Sequence, residues 1–420
     1  MSFEKDKNNR SFSAEIFLII MAFWIGSYAY YQMFLSYKFK PLYSYLLIIF
    51  FTCFWVITQR ILYPARLEPI DQGLKSIGVW MGLYTLWTSI TYLYSSQSSI
   101  ATESLIVALE GAALFTCFVL LVNHSVRVIE LATVLAILAL AGSAMCLWDF
   151  IELTFSTVTG RGAGFYSNPT IAGDIIALTM VGGFLLVPNR LKWSYIAFCG
   201  LGVLVTFSRA SWLSWGVAVI GLSILRYADG ERRLRWMIIL SITAFIVLLL
   251  LALFSGVTEG IINKLNLQQY MTMDTFSRLG IGKASLENFS ASSRWDIAKF
   301  SINMIREAPF FGYGIGYTKE WAMIETHNMY LQQWLEGGFI QLALYIGLLV
   351  LMWKMASCLG KIMLVQIALN SLFTHNNLEH PAVLLLFAFI IGTRLVASKP
   401  STQRQVDMQS SDNQLPTATI

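Results

Sequence analysis

Two stretches limit what this chain can fold into. Residues 104–122, SLIVALEGAALFTCFVLLV, hold a single charge, and residues 236–256, WMIILSITAFIVLLLLALFSG, hold none. A helix on the surface of a soluble domain keeps a polar outer face. These segments lack one and approach the about 20 apolar residues that cross a bilayer. Similar runs recur, and about twelve can be marked between residues 15 and 397. Only 13% of the 420 residues are charged while 56% are hydrophobic, far from the roughly 25% charged of soluble domains. The predicted fold class is all-α, a polytopic membrane protein of about 12 transmembrane helices with a partly helical segment outside the bilayer. The net charge of +5 then concerns loops and orientation, and no nucleic-acid partner is expected. Cys53, Cys117, Cys146, Cys199 and Cys358 lie in or beside apolar runs without a C-x-x-C pair, so they read as small core residues. Glu4, Lys5, Lys7 and Arg10 precede an apolar run with no small-residue cleavage site, which predicts a retained first span.

Residues 193–225 are too long for one ordinary span and carry Arg209 at their midpoint. Charge decides how to divide them. A single helix would put ADGERRLRW, with Arg232, Arg233 and Arg235, outside the cell, against the rule that short basic loops stay in the cytoplasm. Two short helices with a bend at SRAS keep those arginines inside, together with Lys5, Lys7, Arg190 and Lys192. Both termini are then cytoplasmic. The expected organisation is transmembrane helices 1–9 over residues 1–256, an exterior loop with an amphipathic helix over 257–327, helices 10–12 over 328–397, and a Gln- and Ser-rich disordered cytoplasmic tail over 398–420.

This topology gathers four features on one exterior face: the small-residue loop around Arg161, the bend at Arg209, the segment with Arg294, and His327. In SSRWDIAKFSINMIREAP, Ser293 and Asp296 form an S-x-x-D capping box, Trp295, Ala298, Ile302 and Ile305 recur at helical spacing, and Pro309 closes the run. An arginine in a first turn opposes the helix dipole, but beside a helix N-terminus its fork suits an anion. Three arginines and a histidine fit a polyanion such as a diphosphate better than a cation. Each residue also has a plainer reading: His327 as a cap, Arg209 as a snorkelling turn marker, Arg161 as a solvated loop charge. Glu336 follows His327 by nine residues, about 180° around and about 13 Å along a regular helix. It reads as a buried structural carboxylate bonded to another helix. Asp174 sits near the outer end of the sixth span, and His375 and Glu379, in THNNLEHP, read as helix caps on the same face. No D-x-D or His/Asp/Cys cluster suggests a metal.

SSRWDIAKFSINMIREAPFFGYGIGYT followed by THNMYLQQWLEGGFIQL resembles the C-terminal signature of the bacterial O-antigen ligase and polymerase family, an arginine helix ending in proline and a G-x-G turn, then H-N-x-x-L and E-x-G. TFSRASWLSW resembles that family's T-x-S-R hairpin and GRGAGFYSNPTIAG its earlier exterior loop; Gln341 stands where the family has a second glycine. The resemblance spans about residues 160–390. It implies a GT-C-like, metal-independent and cofactor-free glycosyltransferase of the bacterial inner membrane with a periplasmic site. The implied donor is a polyprenyl (undecaprenyl) diphosphate-linked glycan. The implied acceptor is lipid A-core for a ligase, another lipid-linked glycan for a polymerase, or a protein for the family's third branch. Carried over by motif, His327 is the catalytic residue, and Arg161, Arg209 and Arg294 bind the diphosphate. Twelve spans with both termini inside is also a secondary-transporter layout. Transporters, however, bind near the midplane between repeats, whereas these arginines gather at one surface.

Overall fold

The computed structural model describes residues 16–62, 72–124, 128–152, 154–228, 289–322 and 326–397. Among them every regular element is helical. In chain order these are α1 (Ile16–Gly26), α2 (Ala29–Tyr37), α3 (Pro41–Leu62), α4 (Gln72–Leu93), α5 (Ser99–His124), α6 (Val128–Glu152), a 3-10 turn (Gly164–Tyr166), α7 (Pro169–Gly183), α8 (Lys192–Leu204) and α9 (Arg209–Ala228). After the undescribed stretch follow α10 (Phe289–Glu307), α11 (Tyr317–Ala322), α12 (Met329–Met355), α13 (Cys358–Asn370) and α14 (Pro381–Ala397).

Four of these helices are long and apolar enough to cross a membrane: α3, α5, α6 and α12. The pair α1 and α2, bent by 59°, makes a fifth if it is one span. The protein is therefore a polytopic helical membrane protein. The expectation of about 12 spans is not reached by this measure, because several helices are short and α4, with 22 residues, is long enough but not apolar enough. Helix α8, with 13 residues, is only about 20 Å long against a hydrocarbon core of about 30 Å, and α7, α13 and α14 are also short. The expected span 236–256 and the expected tail lie outside the described residues. Cys117, Cys146 and Cys199 are buried as expected of core residues, but Cys53 and Cys358 are exposed.

The run 193–225 divides as its charge implied. Helix α8 ends at Leu204, α9 begins at Arg209, and the indoles of Trp212 and Trp215 donate to the carbonyls of Val203 and Ile196 (3.2 and 3.3 Å). Rising numbers on α9 thus meet falling numbers on α8, and the two form an antiparallel hairpin. It packs against α6 and α7 on one side and α13 on the other.

Helix α12 is interrupted at Gly338 (φ 67, ψ −168). Such a break strands carbonyl and N–H groups that would cost several kcal/mol each if left unbonded in hydrocarbon. The turn after α10 supplies their partners. Tyr313 N donates to Leu335 O (2.9 Å), Gly314 N to Glu336 O (2.8 Å), and Phe339 N to Pro309 O (2.9 Å); Trp87 Nε1 donates to Gly337 O (2.9 Å). The glycine-rich FGYGIG segment is thus a plug for a broken helix. Gln341, in the family's second-glycine position, is buried and lies against Gly337, so the absent side chain there makes room for it. Glu336 is buried and accepts a hydrogen bond from Thr318 Oγ1 of α11.

Candidate functional site

His327 adopts the left-handed region (φ 49), immediately before Asn328, whose side chain caps α12 by accepting from Leu331 N (3.0 Å). This helix head is bolted to the end of α13. Met329 N donates to Ser371 O (2.8 Å), Asn328 Nδ2 to Leu372 O (3.3 Å) and the Tyr330 hydroxyl to Ala368 O (2.9 Å). The positive φ and these bonds fix where the imidazole departs from the chain. It lines a cavity of about 300 Å³ together with Asp174, His375 and His380. The His327 and His375 rings meet edge to face, centroids 5.6 Å apart.

The neighbouring wall is the start of α7, where Asn168 caps the helix by accepting from Thr170 N (2.9 Å) and Ile171 N (3.4 Å). Behind it stands the hairpin bend. Ser211 Oγ, one half-turn into α9, donates to Asp174 Oδ1 (2.7 Å) and contacts Ser208 Oγ (2.8 Å). Arg209 is exposed at the first position of α9, where a helix N-terminus adds its partial positive charge. One hydrogen-bonded step through Ser211 and Asp174 therefore joins the Arg209 turn to the cavity that His327 lines.

Arg161 is placed differently from an open anion ligand. It is 4% exposed, and its Nε donates to Thr206 O at 2.7 Å, while Gly162 N donates to Val205 O (2.8 Å). The Arg161 loop and the Arg209 bend are thus laced together. The loop is also held from below by Asp149, a residue the sequence reading passed over. Fully buried near the end of α6, Asp149 accepts at Oδ1 from the backbone N–H of Thr154 (3.0 Å), Phe155 (2.6 Å) and Ser156 (3.3 Å). Its Oδ2 accepts from Ala163 (2.7 Å) and Gly164 (3.0 Å). A carboxylate at the end of an apolar run, beside the unfavourable C-terminal dipole, was the signal that could have revealed it.

Arg294 falls in the second turn of α10, because that helix begins at Phe289 rather than at Ser293. The expected capping box is therefore interior helix, and the first-turn placement of Arg294 does not hold; its side chain is outside the described part. Trp295 and Ile302 of this helix are exposed, whereas Ile305 is buried. His375, read from sequence as a cap, instead shares the cavity with His327. Among the described residues no three His, Cys, Asp or Glu side chains come together closely enough to hold a metal ion.

Residues 194–346 match the family model described as O-antigen ligase. A comparison with curated proteins finds no match. The matched stretch opens in α8, contains the Arg209 bend and His327, and closes beyond the break in α12. Over that stretch the chain is similar to the O-antigen ligase family, which agrees with the resemblance of its SRAS bend and H-N helix head.

Proposed function

We propose that this protein is an O-antigen ligase, transferring a glycan from a polyprenyl diphosphate carrier to a lipid A-core acceptor at the periplasmic face of the bacterial inner membrane. The reaction is a single displacement. An acceptor hydroxyl oxygen attacks the anomeric carbon, the bond from that carbon to the diphosphate oxygen breaks, and configuration inverts. His327, as neutral imidazole, takes the hydroxyl proton. The diphosphate leaves with the bonding pair, and its growing charge is met by Arg209 at the α9 N-terminus and by Arg294. Arg161 braces the bend that carries Arg209.

The observation that carries this reading is the hydrogen bond from Ser211, in the Arg209 turn, to Asp174, which lines the cavity together with His327. The test is transfer by the purified protein from undecaprenyl diphosphate-linked glycan to lipid A-core. His327→Ala is expected to abolish transfer while the protein stays inserted and folded; retained transfer refutes the role. A deletion strain separates the family's two branches. A ligase deletion leaves lipid-linked polymer without attachment to lipid A, whereas a polymerase deletion leaves single repeats attached.

A further inference from the structure

The cavity beside His327 is chemically unlike the arginine turn next to it. Among the described residues that line it there is no lysine or arginine, but there are four asparagines: Asn168, Asn370, Asn376 and Asn377. Its floor is aliphatic, with Ile171, Ile175, Ile367 and Val383. A diphosphate taken into such a place would meet no arginine or lysine and would face the Asp174 carboxylate. A carboxamide, by contrast, both donates and accepts, which matches the hydroxyls of a sugar, while the aliphatic floor suits the C–H face of its ring. The volume, about 300 Å³, is at the lower end of small-molecule sites.

Two buried polar atoms point the same way. Asn370 is 2% exposed and its Oδ1 has no hydrogen-bond partner in the protein; His380 is 7% exposed and the same holds for its Nδ1. The other ring nitrogen of His380, Nε2, is engaged by the Tyr28 hydroxyl, and the two rings stack at 5.2 Å. When the hydroxyl donates, Nδ1 carries the ring proton. Both residues line the cavity, and each carries a polar atom that no protein group satisfies. Buried groups of this kind are rare without a partner.

We propose that this cavity is a subsite for one uncharged sugar ring, held by Asn370, His380, Asn376 and Asn377 so that a hydroxyl faces His327. The assignment to glycan transfer rests on the function proposed above. The sugar can come from the acceptor, whose nucleophilic hydroxyl must reach His327, or from the donor.

The full chain in detergent serves for the test, with the undecaprenyl diphosphate-linked glycan and lipid A-core varied separately. Asn370→Leu and Asn376→Ala are each expected to raise the KM for the acceptor about tenfold, the loss of one hydrogen bond, with kcat within about threefold and the donor KM unchanged. A rise confined to the donor KM keeps the subsite and assigns the ring to the donor. No change in either KM overturns the subsite. If Asn370→Leu fails to fold, Asn376→Ala, in the segment between α13 and α14, carries the comparison.

A binding readout keeps the two ideas separable. Saturation-transfer NMR with methyl hexosides is expected to give a signal that these variants lose. That signal in a preparation without any transfer would sink the ligase reading and leave the sugar subsite standing. An equal signal from wild type and variants, or none from wild type, overturns the subsite.

Discussion

A non-glycine residue in the left-handed region costs roughly 1–2 kcal/mol against the ordinary helical or extended choice. His327 (φ 49) holds that conformation because the chain on its C-terminal side is pinned by the Asn328 cap and the bonds to Ser371 and Leu372. Such strain, at a cavity lined by three imidazoles and a carboxylate, agrees with the catalytic role proposed for His327. Replacing His327 by glycine relieves the backbone but removes the ring. The expected outcome is complete loss of transfer with unfolding stability in detergent unchanged or raised by about 1 kcal/mol, as read from a denaturation midpoint. A large fall in stability would instead make His327 a structural residue. The importance of the H-N pair was legible from the sequence because it heads an apolar run. The sign of φ was not, since it depends on the distant end of α13. For the same reason His375 looked like a cap: only the packing of α12 on α13 brings its ring to 5.6 Å from that of His327.

Two elements are shaped by groups that satisfy exposed backbone. At the break in α12, Gly338 occupies a region of φ and ψ essentially restricted to glycine, and an added Cβ would meet the carbonyl of Phe310. Gly338→Ala is expected to lower stability by about 3 kcal/mol and to loosen the 309–316 turn, read as faster proteolysis there. Unchanged proteolysis would show that α12 tolerates closure of the break. The Arg161 loop depends on Asp149 in a comparable way, with five N–H groups on one carboxylate. Asn at this position keeps the size but can accept on one side only, leaving two N–H groups facing an amide. Asp149→Asn is expected to cut transfer at least tenfold while insertion is retained, each charge-assisted bond contributing roughly 1.5–3 kcal/mol. Wild-type transfer would place the loop outside the reaction. Hydrophobic runs and a basic loop sufficed to divide residues 193–225 correctly. The start of α10 was missed because Ser293 and Asp296 form a plausible local cap, yet the helix continues one turn further to Phe289.

At the scale of the molecule, the direction of each helix sorts the connections to two ends of the bundle. Helices α6, α8 and α13 run toward the end that holds the 154–168 loop, the 205–208 bend and the 371–380 segment, and α7, α9, α12 and α14 leave from it. The other end carries the 184–191 and 356–357 connections. This alternation follows from the apolar segmentation together with the single decision to bend the chain at SRAS, which is why the clustering of Arg161, Arg209 and His327 could be anticipated without coordinates. Sidedness in the cell rests on the basic loops alone, and it is open to direct measurement. After Cys53 and Cys358, both exposed, are changed to serine, single cysteines at Thr159 and Asn376 report the site end, and one at Arg190, exposed between α7 and α8, reports the opposite end. A membrane-impermeant maleimide reaching the periplasm of intact cells is expected to label the first two and to reach position 190 only after the inner membrane is opened. The reverse pattern would put His327 in the cytoplasm with Arg232, Arg233 and Arg235. The positive-inside argument and transfer to lipid A-core at the periplasmic face would then fail together, because a cytoplasmic imidazole could not meet an acceptor hydroxyl presented on the other side of the bilayer.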